Sequence, residues 1–329
     1  MRRRDVLAFG LASLSTPALA PLCAFAQARY PDRPIKLMVP FSAGGVTDIV
    51  ARYWADRMKS SLGTVFIENQ GGGGGTIAAS EVARSMPDGH TIMLGNTSIV
   101  VLNPMTMTKL SYDPAKDFIP IAMLCVAATA TVVHASVPAK NIKELIAYVK
   151  ANPGKLSYGS AGAGTMTNLA GELFKQLVGA TDIVHVPYKG AGPGLTDLAG
   201  GHIPMMTPNV TSQVLELHRT GKIRILAVNA PERLKAAPEI PTAIEEGLPG
   251  MIAQLFVGLF APAVTPRAIV DRVASATQAA LADVEFQKIL MDAGLEPSSD
   301  TTPEKAMRFI DEEIARWGPV VKASGFKVE

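Results

Sequence analysis

Twice in this chain a short apolar run ends in a glycine-rich turn that opens directly into a helix. Residues 35–39 lead into Pro40-Phe41-Ser42-Ala43-Gly44-Gly45, and residues 156–158 lead into Gly159-Ser160-Ala161-Gly162-Ala163-Gly164-Thr165. Beyond the first turn, Val46, Ile49, Val50, Tyr53, Trp54 and Met58 recur at helical spacing and form one apolar face. Strands separated by helices of this length indicate a parallel α/β sheet.

The same grammar runs through the rest of the chain. Residues 65–67 and 91–94 read as strands, 71–75 as a loop, and 77–86 as a helix. In the middle, 126–133 reads as one buried strand, 142–150 as a helix, and 166–177 as a helix following the second turn. Strands at 183–186, 203–206 and 223–228 alternate with helices near 194–198 and 210–219. The last hundred residues read as helical, over 266–282, 284–293 and 303–321, the last opened by Thr301 and Glu304 at capping-box spacing. The expected architecture is an α/β core on each side with a helical C-terminal wrap.

Both glycine-rich turns deliver the chain to a helix N-terminus. Glycine lets a ligand approach the backbone, and the first helical turn has N–H groups with no intrahelical partner. Together with the helix dipole they make an anion site that needs no cationic side chain. Neither turn contains Lys or Arg. Two such loops facing one another would suit a small carboxylate.

Other chemistry is thinly represented. No G-x-x-x-x-G-K-[ST] phosphate loop occurs, and 159–164 has the order G-x-x-G-x-G rather than the dinucleotide fingerprint. Gly71–Gly75 reads as a plain tight turn. Neither H-E-x-x-H nor G-x-S-x-G is present, and His90, His134, His185, His202 and His218 read as structural. Asp48 and Asp197 sit at or near helix starts, where an acid serves the dipole, and Met205-Met206 reads as core. Cys125 stands in an apolar run and is the single cysteine outside the leader, so neither a disulfide nor a Cys-based metal site follows. No cofactor and no metal are expected.

Residues 1–28 read as an export signal. Arg2-Arg3-Arg4 is followed by an apolar stretch over 6–14 and by the overlapping sites Ala24-Phe25-Ala26 and Ala26-Gln27-Ala28, so cleavage is expected near Ala26 or Ala28. Arg3-Arg4-Asp5-Val6-Leu7 resembles a twin-arginine export motif. Arg2, Arg3, Arg4 and Asp5 are the only charges in this segment, so it carries the whole formal excess of +2. The remaining body is neutral, which argues against a nucleic-acid or anionic-membrane surface. With 48% hydrophobic and 18% charged residues the composition is globular.

Residues 40–52, Pro-Phe-Ser-Ala-Gly-Gly-Val-Thr-Asp-Ile-Val-Ala-Arg, resemble the P-F-x-A-G-G-x-x-D-x-x-A-R signature of the tripartite tricarboxylate transporter substrate-binding receptors, the Bug or TctC-like family. Further blocks agree in order: Asn103-Pro104, residues 110–121, Tyr158 to Thr165 with Leu169-Ala170-Gly171-Glu172, His185 to Gly190, Gly221 to Val228, and Pro241-Thr242. The resemblance spans the body of the chain.

That resemblance implies a type II periplasmic-binding-protein fold, two α/β lobes with a ligand cleft between them. Lobe 1 would comprise 29–125 and 230–329, and lobe 2 residues 126–229. It implies carboxylate-binding loops at Phe41, Ser42, Ala43, Gly44 and Gly45 and at Ser160, Ala161, Gly162, Ala163, Gly164 and Thr165. Thr97, Ser98 and Tyr188 would line the cleft, and Asp48, Asn168 and Asn209 complete the candidate set. Asn168 stands where many relatives have His, and Asn209 lies where many carry an acid. The implied protein is a monomeric periplasmic receptor that captures a small carboxylate and delivers it to one large and one small integral membrane subunit. A co-receptor for a membrane sensor, or a hydrolase using Ser160, are the alternatives.

Overall fold

A computed structural model describes residues 30–298, 301–324 and 326–328. The export-signal reading lies outside the described residues. Eleven strands and eleven α-helices follow in chain order among them. The first stretch comprises β1 (Ile35–Val39), α1 (Val46–Leu62), β2 (Val65–Asn69), α2 (Thr76–Ala83), β3 (Thr91–Asn96), α3 (Asn103–Thr106), α4 (Pro114–Asp117) and β4 (Phe118–Ala128). The middle comprises β5 (Ala130–His134), α5 (Ile142–Ala151), β6 (Ser157–Ser160), α6 (Met166–Val178), β7 (Val184–Pro187), α7 (Ala191–Ala199), β8 (Met205–Met206), α8 (Ser212–Arg219) and β9 (Ile223–Val228). The chain ends with β10 (Gln254–Pro262), α9 (Arg267–Leu281), α10 (Val284–Asp292), β11 (Glu296–Pro297) and α11 (Pro303–Ser324).

The strands form two sheets, one per lobe. The first has the order β11-β4-β10-β3-β1-β2, the second β7-β6-β8-β5-β9. In the first, β1 pairs in parallel with β2 and β3, while β10 runs antiparallel to β3 and β4. In the second, β6 is parallel to β7 and β8, while β5 is antiparallel to β8 and β9. The second sheet is covered on both faces. Alternate residues point to opposite sides of a strand, and Val132 and Val133 enter different apolar clusters. Helices α5 and α6 bury Leu145 and Phe174 in one cluster; α7 and α8 bury Leu195 and Val214 in the other.

Two expectations are corrected here. Residues 126–133 are not one strand: β4 ends at Ala128 in the first sheet and β5 begins at Ala130 in the second. The last hundred residues are not all helical, since β10 lies between β3 and β4 and is buried from Leu255 to Pro262. A strand buried on both faces shows no period-2 alternation, which is why 254–262 carried no strand signal. Ala230, Leu234, Ala237 and Ile240 pack into a second-lobe cluster.

The two crossings between sheets lie side by side. Thr129 N–H donates to Ala253 O (2.9 Å), Asn229 N–H to Thr129 O (2.8 Å), and Ala253 N–H to Asn229 O (2.9 Å). Thr129 Oγ1 also donates to Ala253 O and accepts from Asn229 Nδ2, both at 2.9 Å. Cys125 is fully buried in β4, and desolvation pushes its thiol up to about 12.

Candidate ligand cleft between the lobes

The first loop joins β1 to α1 and is braced from outside the cleft. Asp48, in the first turn of α1, is 3% exposed. Its carboxylate accepts from Gly44 N–H (3.0 Å), Arg52 Nε and Nη2 (3.0 and 2.9 Å) and Asn69 Nδ2 (3.1 Å). Burial pushes the carboxyl up, but these charge-assisted bonds outweigh it and hold its pKa below the usual range. The N-cap of α1 is Gly45, which has no side chain to cap the helix. No cap side chain therefore accepts from the N-terminal N–H groups of α1, and the dipole end of the helix stays uncapped at the cleft.

The second loop joins β6 to α6 and is saturated internally. Thr165 Oγ1 caps α6 by accepting from Asn168 N–H (3.3 Å) and donates to Gly162 O (2.7 Å). Thr167 Oγ1 accepts from Ala161 N–H (2.8 Å) and lies 2.9 Å from Thr165 Oγ1. Asn168 turns away from the cleft: its Oδ1 accepts from Gly164 N–H (3.0 Å) and its Nδ2 donates to Tyr158 Oη (2.6 Å). Even the N–H of Met166 is taken, by Ser98 Oγ of the first lobe at 2.9 Å.

Ser160 acquires the histidine that sequence spacing did not supply. Parallel pairing of β6 and β7 sets Tyr158 opposite His185, and His185 Nε2 lies 2.7 Å from Ser160 Oγ. The hydroxyl also accepts from Gly162 N–H and donates to Gly162 O, both at 3.1 Å. Desolvation lowers the His185 pKa to about 4, so the ring is neutral. Ser160 has no exposed surface. The pair ties the second loop to β7.

The cleft closes between these loops. Phe41, Gly45, Val46, Thr47, Asn96, Ser98, Ala161, Thr165, Thr167, Ala191, Asn209 and Leu255 line about 310 Å³ of empty space, open mouth included. None of the lining side chains is charged. Asn96 Nδ2 contacts Thr47 Oγ1 at 3.4 Å, and Ser98 Oγ accepts from Met166, so both hydroxyls keep a proton to donate. Asn209 is 5% exposed, and its buried Nδ2 has no hydrogen-bond partner. An unpartnered buried donor costs about 1–3 kcal/mol.

Of the candidate residues, Phe41, Gly45, Ser98, Ala161, Thr165 and Asn209 line this space. Ser42 instead bridges the lobes, its N–H and Oγ donating to Lys189 O at 3.1 and 3.2 Å. Thr97 Oγ1 accepts from Phe256 N–H (2.9 Å). Tyr188 Oη donates to Asp197 (2.6 Å), and its ring lines an outer groove with Gly162, Ala163 and Lys189. Ala43, Gly44 and Gly164 shape the loops without lining the inner cleft; Asp48, Ser160 and Asn168 brace them. Sequence reasoning missed Val46, Thr47, Asn96, Thr167, Ala191 and Leu255. Val46, Thr47 and Thr167 directly follow the two turns, and that proximity was the available signal. Leu255 had none, because β10 was itself missed.

Two lobes joined by paired crossings, with a charge-free cleft capped by a helix N-terminus, define a periplasmic-binding-protein receptor. The chain matches the tripartite tricarboxylate transporter family receptor over residues 50–326 and belongs to that family. It is similar to the periplasmic binding protein BugD (34% identity, TM-score 0.87, covering 91% of this chain and 100% of that one). A Rhodopseudomonas palustris protein solved with adipate is 35% identical with TM-score 0.87, covering 91% and 99%. MatC from the same organism, solved with bound malate, is 34% identical with TM-score 0.84, covering 89% and 100%. Among the described residues no helix is long and apolar enough to cross a membrane.

Proposed function

We propose that the cleft captures a small mono- or dicarboxylate and that closure of the lobes about Thr129 and Asn229 seals it. The observation that carries this reading is that the residue with the orphaned Nδ2, Asn209, and the uncapped N-terminus of α1 line one cleft without charged side chains. A carboxylate oxygen satisfies both, and bonds to a charged group are the stronger kind. The relatives solved with adipate and malate support the same ligand class. The protein then presents its ligand to one large and one small integral membrane subunit, acting as an exported monomer cleaved near Ala26 or Ala28, by the general or the twin-arginine route. Catalysis is no part of the reading, because Ser160 is sealed from the cleft.

Calorimetry tests the ligand class. The binding acid should lose most of its affinity as its methyl ester, and Asn209→Ala should weaken binding roughly ten- to a hundredfold. Equal binding of the ester, or an unchanged affinity in Asn209→Ala, would sink the proposal.

A further inference from the structure

The run Gly71–Gly75, a plain turn by sequence, lies against the opposite lobe. Gly74 packs on the second loop: a Cβ there would overlap the Ala163 carbonyl oxygen. A Cβ on Gly71 would overlap the carbonyl oxygen of Lys189, the acceptor of the Ser42 bridge. The second lobe answers with glycines of its own. A Cβ on Gly190 would come within 2.7 Å of Ser42 N, and one on Gly192 would overlap the Ala43 carbonyl oxygen. Four glycines thus let backbone meet backbone across the closed cleft. Positive φ does not account for all of them: Gly192 is helical, within α7, and Gly71 is outside the left-handed region.

We propose that Gly71, Gly74, Gly190 and Gly192 are positioning residues for ligand capture. They form a side-chain-free seam that lets the lobes close far enough for the α1 N-terminus and Asn209 to reach one ligand together. At Gly192 the nearest atoms an added methyl group would meet, on Ala43 and Gly44, all belong to the opposite lobe. Such a methyl group acts only in the closed form, where it holds the lobes apart and favours release. Gly192→Ala is the sharpest case, because alanine is the better helix former and the open lobe loses nothing. The proposal rests on the carboxylate reading for its ligand, but its geometry can be tested without one.

Gly45→Cys with Ala191→Cys provides that test. The Cβ positions lie 3.6 Å apart across the seam, within disulfide range, and Gly45 has an ordinary φ of −89°. In ligand-free protein, oxidised glutathione should couple the two thiols as it is itself reduced, leaving buried Cys125 untouched. Adding Gly192→Ala, or Gly71→Ala far from both cysteines in sequence, should slow coupling about tenfold. Gly318→Ala, whose Cβ meets nothing within 4 Å, should not. Without the cysteines, Gly192→Ala should release malate or adipate about tenfold faster, with association rate and melting temperature at wild-type values. Absent coupling in the parent pair, or parental coupling rates in both alanine variants, would overturn the seam. Slowed coupling with no acid bound by the wild type overturns the carboxylate reading and leaves the seam standing.

Discussion

The two glycine-rich turns look alike in sequence and do opposite work in the structure. The first keeps its helix end open: Gly45 offers no cap, and the brace at Asp48 is built behind the loop. The second spends its donors on itself and on Ser98, through Thr165, Thr167 and the Ser160–His185 pair. A small side chain at the N-cap separates the two. Thr165 can cap α6, and Gly45 cannot cap α1. Similar strand–turn–helix units therefore give one loop whose helix end is left uncapped and one whose donors are spent within the protein.

Deleting a single donor from the open loop should give the largest effect. Val46 is the first residue of α1, where proline is well tolerated and the N–H it removes has no intrahelical partner; Gly45 already has the extended ψ of 170° that a residue before proline adopts. Val46→Pro should therefore weaken carboxylate binding about ten- to a hundredfold with the melting temperature nearly kept. Wild-type affinity in calorimetry would mean that the first helical turn does not hold the ligand.

The saturated loop should report pH instead. His185 is depressed to about 4 in the folded chain against an ordinary 6.5, so the unfolded chain binds more protons between those values. Its contribution is complete above pH 6.5, falls as pH drops towards 4, and falls no further below that. The loss is on the order of 1–3 kcal/mol, after allowing for solvent reaching the half-buried ring. Denaturant melts of wild type and His185→Gln across this window should diverge, with the variant showing the shallower slope. Parallel curves would break the contrast.

Thr165→Ala should give the smallest effect. Loss of an N-cap costs about 1 kcal/mol of stability. Because the hydroxyl proton is already committed to Gly162, affinity should change no more than about threefold. A tenfold loss of affinity at unchanged stability would show that the second loop donates to ligand as the first does.

Much of this was legible in the sequence. Period and punctuation gave the strands at 35–39 and 223–228 and the helices at 142–150 and 166–177, because amphipathic faces and glycine stops are local properties. The motif at 40–52 carried the family, and with it the two-lobe fold and the pair of loops. Four kinds of fact were not local. Strand β10 hid because burial on both faces erases alternation. His185 reached Ser160 only through parallel pairing of β6 with β7, across 25 residues of chain. Which hydroxyls remained free to donate depended on the partners that Thr165, Thr167 and Ser98 found. The purpose of Gly71–Gly75 depended on Lys189 and Ala163 in the other lobe. Sequence alone determined most of the elements, the family and the absence of charge in the two turns, since each is written in neighbouring residues. Tertiary structure decided which donors stay open, because a hydrogen bond is spent or spare only once both partners have been brought together.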